Sequence, residues 1–161
     1  LNMDTQTTIS GDVSALERAM ERARELQGKV FRLKVKVSSH TPLHAAQAEA
    51  FADVLQDVAF KSPKRPIISN ITSQPLSTAE ALRDEFAAQL RSPVYWASNV
   101  QEMARHGVDT FVEAGPGHVL ARLVRRISRS ATAVSLADAT EEPIPISILP
   151  AGATASPASA Q

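Results

Sequence analysis

Apolar positions recur along this chain with two periods, helical and alternating, that follow one another. Leu16, Ala19, Met20, Ala23 and Leu26 fall at helical spacing and predict an amphipathic helix from Asp12 to Gln27, stopped by Gly28. Within it, Ser14 and Glu17 have the spacing of a capping box. Phe31, Leu33, Val35 and Val37 then alternate with Arg32, Lys34 and Lys36, which predicts a strand with one buried and one basic face. Gln6 to Ser10 reads as a shorter strand closed by Gly11. Strand, helix and strand together predict part of an α+β layer.

Beyond Thr41 the pattern becomes mostly helical. Thr41 can cap a helix with Pro42 in its first turn, and Phe51, Val54, Leu55 and Val58 form its core stripe. Pro66-Ile67-Ile68-Ser69-Asn70 has the short apolar run of a buried parallel strand. After a turn at Gln74-Pro75-Leu76-Ser77, a helix from Thr78 to Leu90 buries Leu82, Phe86 and Leu90. Pro93 ends it, and a further helix carries Trp96, Val100 and Met103 towards Gly107. Val108 to Glu113 reads as a second buried strand, and Gly115-Pro116-Gly117 leads into a helix from Val119 to Ser128. No internal repeat is visible. After Ala139 proline, serine, alanine and threonine dominate; Ile144, Ile146 and Ile148 could add a docking strand, and the end reads as a tail.

Composition narrows the class. The chain has 161 residues, enough for a sizeable core, and its 43% hydrophobic content excludes wholesale disorder. Lys plus Arg and Asp plus Glu are equal at 17 each, so no global field favours nucleic acid or an acidic membrane. No apolar run approaches the roughly 20 residues that span a bilayer. Leu1-Asn2-Met3-Asp4 resembles no signal peptide, and a start at leucine points to a processed or excised chain. The absence of cysteine removes disulfides and thiolate chemistry and fits a reducing compartment, so a cytoplasmic location is expected.

Candidate chemistry centres on His40, at a junction of strand and helix where an imidazole can act as a general base. His40 and His44 have the spacing of a metal pair, but no Glu follows the first and no third ligand is suitably spaced, so no metal is expected. Gly115-Pro116-Gly117 could present amides to an anion, although a strand-to-helix turn needing permissive φ/ψ is the better explanation. Arg122, Arg125, Arg126 and Arg129 crowd one helix, either as a solvated face or as a docking patch for an acidic partner. No Gly-x-Ser-x-Gly nucleophile elbow is present in the chain.

Taken together, five motifs in order resemble a known family: Asn2-x-x-x-Gln6-x-x-Ile9-Ser10-Gly11; Val37-Ser38-Ser39-His40-Thr41-Pro42-Leu43; Pro66-x-x-Ser69-Asn70-x-Thr72; Gln89-Leu90-x-Ser92-Pro93-Val94-x-Trp96; and Phe111-Val112-Glu113-Ala114-Gly115-Pro116-Gly117-x-Val119-Leu120. From Asn2 to Ile127 the chain is similar to the C-terminal half of malonyl-CoA:acyl-carrier-protein transacylases and the related acyltransferase domains of polyketide synthases. The resemblance implies an α/β fold: part of a ferredoxin-like small lobe over residues 1–39, the C-terminal part of a hydrolase-like large lobe over 40–139, and a tail over 140–161.

It also implies roles. His40 matches the catalytic histidine, and Gln89 the glutamine whose main-chain carbonyl orients it. Asn70 matches a polar residue near the acyl site, and Ser39 lies in the stretch where such enzymes differ in acyl preference. Malonyl-CoA or another acyl-CoA is then the substrate, with no permanently bound cofactor, and acyl carrier protein the acceptor. The family's Gly-His-Ser-Leu-Gly serine, oxyanion glutamine and carboxylate-binding arginine are absent. His44 stands where a methionine is usual, and His118 where a lysine is usual. A missing N-terminal half or companion chain is therefore expected to carry the serine, and without it the faces of Ile67-Ile68 and Phe111-Val112 should lie uncovered. Two alternatives stay open: a carrier-protein-binding module without chemistry, and an acyltransferase part of a polyketide synthase or malonate decarboxylase assembly.

Overall fold

A computed structural model describes residues 2–3, 5–35 and 38–138, and the chain is mixed α/β. It divides into two compact units, Leu1–Met103 and Ala104–Gln161.

The first unit begins with helix α1 (Val13–Glu25). Its start is set two residues earlier than the Ser14–Glu17 spacing implies: the Asp12 carboxylate accepts from the Ser14 amide at 2.9 Å and the Ala15 amide at 3.3 Å. Those bonds, led by one from the Ser14 hydroxyl, hold the Asp12 carboxyl below its usual range. At the far end Gln27, not Gly28, takes the left-handed conformation (φ 62°). Gly28 is needed for a different reason: its amide donates to Ala23 O at 2.8 Å, and a Cβ there would come within 2.9 Å of that oxygen.

The two strands expected near the N-terminus are not formed among the described residues. Gln6 makes only an isolated bridge with Met3, and 31–35 has no strand partner. Phe31, Leu33 and Val35 are correspondingly exposed, Phe31 by 80%. Alternation specifies which face would be buried, but a strand exists only where a neighbour completes its ladder.

Pro42–His44 forms a 3-10 turn, capped by Thr41 Oγ1, which accepts from the Leu43 amide at 3.3 Å. Helix α2 (Ala45–Gln56) follows, so the predicted helix has a tighter first turn. It packs against α3 (Ala79–Gln89), and Ala48 and Leu55 of α2 and Leu82 of α3 are buried. Of the expected stripe only Leu55 is buried; Phe51, Val54 and Val58 remain exposed, as does Phe86.

β1 (Ile67–Ile68) and β2 (Pro75–Leu76) form an antiparallel ribbon in the register Ile67↔Leu76 and Ile68↔Pro75. The expected buried parallel strand is corrected here: the chain reverses at 69–74, closed by Ser69 N–H to Gln74 O at 2.9 Å, and Ile67 stays exposed. Helix α4 (Trp96–Arg105) buries Ala97, Asn99 and Val100, the last completely.

The second unit is a βαβ arrangement. β3 (Thr110–Glu113) and β4 (Thr132–Ser135) pair in parallel, from Thr110↔Thr132 to Glu113↔Ser135, with α5 (Val119–Ile127) between them in sequence. Ala121, Leu123 and Val124 of α5 are buried together with Ala133 of β4. No strand was expected at 132–135, while Val112, as expected, is left exposed. The possible docking strand at Ile144, Ile146 and Ile148 and the tail lie outside the described residues.

Candidate functional site

The end of α3 creates the site. A helix leaves its last carbonyls without internal partners, and Pro93 prevents continuation. Two of these carbonyls are satisfied by one residue: His40 N–H donates to Leu90 O at 3.0 Å, and His40 Nδ1 lies 3.0 Å from Gln89 O. A carbonyl can only accept, so Nδ1 carries the hydrogen and Nε2 becomes the basic nitrogen. His40 itself has a left-handed backbone (φ 60°), uncommon for a residue with a Cβ. Two further contacts support the loop: Ser10 Oγ donates to Ser39 O at 2.7 Å, and Ser38 Oγ lies 3.2 Å from His44 Nε2.

The second cluster is built on the 69–74 reversal. Glu85, on α3, accepts from Ser69 Oγ at 2.6 Å and from the Asn70 amide at 2.7 Å. Ser69 Oγ in turn accepts from the amides of Ile71 (3.1 Å) and Thr72 (2.9 Å). Asn70 O accepts from Tyr95 N–H at 2.9 Å. The Asn99 amide, 2% exposed, lies 2.7 Å from Ser73 Oγ and 3.0 Å from the Asn70 side chain. Its nitrogen is best assigned to the end that meets Tyr95 O (2.9 Å) and Ser69 O (3.1 Å), because both are acceptors. The 69–74 turn is thus tied to α3 through Glu85 and to Asn99 through its Ser69, Asn70 and Ser73 contacts.

The sequence-based residues sort accordingly. His40 and Gln89 meet directly, Ser39 adjoins His40 and is exposed, and Asn70 sits in the second cluster. His44 Nε2 lies 3.2 Å from Ser38 Oγ, and no group of three metal-ligating residues occurs among the described residues. Among them, too, no helix is long and apolar enough to cross a membrane. Glu85, Asn99 and Ser73 had no sequence signal: polar residues on amphipathic helices and turns look solvated until the fold buries them.

In the second unit, the anion-site reading of Gly115-Pro116-Gly117 gives way to an internal cap. Glu113 accepts from the amides of Leu120 (3.1 Å) and Ala121 (2.9 Å) at the start of α5. The Ala121 bond leads the interactions that hold its carboxyl below the usual range. Gly115 (φ 153°) and Gly117 (φ 90°) give the turn its shape, and Ser135 Oγ ties it down by donating to Gly117 O at 2.5 Å. Arg122, Arg125, Arg126 and Arg129 are all exposed, and Arg125 also donates from Nη2 to Ala133 O at 2.6 Å, which anchors it within the unit.

Comparison with known proteins places this geometry in context. The profile of the family described as acyl transferase domain matches residues 1–143. The chain is 35% identical over 136 residues to the malonyl CoA-acyl carrier protein transacylase of Escherichia coli K12, a match spanning 84% of this chain and 44% of that protein. It is 32% identical over 139 residues to the Bacillus subtilis strain 168 protein of the same name, covering 86% and 44%. Among solved structures, the malonyl-CoA:acyl carrier protein transacylase of Xanthomonas oryzae pv. oryzae superposes with a TM-score of 0.76 at 33% identity, covering 79% of this chain and 41% of that one. A malonyl-transacylase in complex with a type II PKS acyl-carrier protein gives a TM-score of 0.76 at 33% identity, covering 80% and 42%. This chain therefore spans under half the length of the relatives it matches. It belongs to the acyl transferase domain family.

Proposed function

We propose that this chain is the base-bearing, C-terminal part of a malonyl-CoA:acyl-carrier-protein transacylase, with the nucleophilic serine supplied by residues outside it. The observation that carries this reading is the contact of His40 Nδ1 with the Gln89 main-chain carbonyl at 3.0 Å, in a member of the acyl transferase family. In the first half-reaction the serine Oγ bonds to the thioester carbon as its proton passes to His40 Nε2. The carbon–sulfur bond then breaks, and the coenzyme A sulfur leaves with that proton. In the second, the phosphopantetheine thiol gives its proton to the same nitrogen and attacks the acyl-serine, and the serine oxygen leaves with the proton. Gln89 O holds the ring in the required tautomer and stabilises the imidazolium formed in each half, the role that an acid usually fills.

On this reading Asn70 and Ser39 face the acyl group, and Arg122, Arg125, Arg126 and Arg129 receive an acidic carrier protein, with Arg125 the most constrained. The finer fold assignment belongs to the same proposal. Residues 1–39 belong to the ferredoxin-like lobe, and the exposed Phe31, Leu33 and Val35 pair there with strands from elsewhere in the enzyme. Residues 40–139 complete the hydrolase-like lobe. No permanently bound cofactor is needed, and the reaction runs in the cytoplasm.

The test combines the purified chain with a separately produced segment carrying the Gly-His-Ser-Leu-Gly serine. Radiolabel from malonyl-CoA should appear on that serine, and transfer to carrier protein should require both parts and fail with His40→Ala. Label confined to this chain, or robust transfer by it alone, overturns the proposal. Full biological activity with His40→Ala would favour a carrier-protein-binding module instead.

A further inference from the structure

We propose that Glu85 is a positioning residue for substrate binding, fixing the Asn70 turn on the same helix that orients His40. The inference rests on the acyltransferase reading above and extends it to a side chain that no motif contains. Helix α3 carries two attachments: Gln89 O and Leu90 O hold His40 at its C-terminal end, and Glu85 lies about one turn earlier. Both Glu85 oxygens are in use, one on Ser69 Oγ at 2.6 Å and one on the Asn70 amide at 2.7 Å. The short distances are those of bonds to an ionised acceptor.

The arrangement calls for a carboxylate in particular. The Asn70 amide can only donate. Ser69 Oγ already accepts from the Ile71 and Thr72 amides and has only its hydrogen left to give. A glutamine offers one acceptor where two are required, so its NH2 would face either another donor or an oxygen whose lone pairs are occupied. An aspartate is one methylene too short to span both. Because Ser69 is 1% exposed, water cannot readily replace the lost partner. Asn70 O on Tyr95 N–H and the Asn70 side chain on Asn99 remain, so loss of Glu85 loosens the turn without releasing it.

The experiment uses the complete enzyme, this chain together with the serine-bearing segment, and compares Glu85→Gln with wild type. KM for malonyl-CoA should rise about tenfold with kcat within about twofold, the pattern of binding lost equally from ground and transition states. The pH profile should keep its shape, because the carbonyls beside His40 are untouched. Amide exchange at Asn70, Ile71 and Thr72 should quicken by a similar factor. Leu55→Ala, a core change on α2, sets the control: it lowers thermal stability and leaves KM alone. An unchanged KM in Glu85→Gln, or a rise matched by Leu55→Ala, overturns the inference. If Glu85→Gln does not accumulate folded, Ser69→Ala breaks the link from its other side and must raise KM likewise. His40→Ala in the same assay separates the two claims: retained turnover there defeats the acyltransferase reading, while the exchange result still decides whether Glu85 holds the turn.

Discussion

The left-handed backbone of His40 makes a prediction that isolates geometry from chemistry. At φ 60° a side chain with a Cβ costs roughly 1–2 kcal/mol relative to glycine. Two bonds oppose that cost, His40 N–H to Leu90 O and Nδ1 to Gln89 O, each at 3.0 Å and each contributing about 0.5–1.5 kcal/mol net. His40→Ala keeps the strain and loses the ring bond. His40→Gly loses the ring bond and the strain together, but its more flexible unfolded chain returns about 0.4–1 kcal/mol. The glycine variant should therefore be the more stable by roughly 0.5–1 kcal/mol, with His40→Asn between them because asparagine tolerates this region. Urea unfolding of the complete enzyme reads the difference. With a slope of about 2 kcal/mol per molar, the midpoint of His40→Gly should lie about 0.3–0.5 M above that of His40→Ala. Both should lack transfer activity. An alanine variant as stable as the glycine one would refute the claim that the fold holds His40 in a strained conformation.

Two further outcomes follow from contacts at helix ends. Leu90→Pro disfavours the helical conformation at Gln89 and so turns away the carbonyl that His40 uses; kcat/KM should fall by at least about tenfold while far-UV circular dichroism keeps its helical shape. Glu113, whose folded carboxyl lies below its ordinary value of 4.5, contributes stability that is present above that value and lost as pH falls through the depressed one. Exchange of the Leu120 and Ala121 amides should therefore accelerate on acidification below pH 4.5, and Glu113→Gln should remove that dependence; equal acceleration in the variant would contradict the cap.

What the sequence made legible were features that depend on local period and on side-chain type. The helical spacing of Leu16 to Leu26 and of Leu82 to Leu90 marks α1 and α3, and Val108 to Glu113 contains β3, because each pattern repeats over enough residues to distinguish its period. β4 escaped although it is as long as β3, because Thr132-Ala133-Val134-Ser135 carries neither alternation nor a strong apolar run, and it is defined by its partner β3. The segment at 31–35 shows the converse: its alternation is clean, yet no ladder forms among the described residues.

The candidate site divides in the same way. His40 stood out by its position, but its orienting partner is a main-chain oxygen, and every residue except for its side chain offers the same carbonyl. Only the motif order singled out Gln89. Glu85 had neither signal: on a helix with Glu80, Arg83 and Asp84 it is one charged residue among several, and its identity matters only because the 69–74 turn brings an amide and a hydroxyl to it. A single helix thus contributes a backbone acceptor at Gln89 and a side-chain acceptor at Glu85. Shifting α3 by one residue would break both, about 100° of rotation carrying each away from its partner.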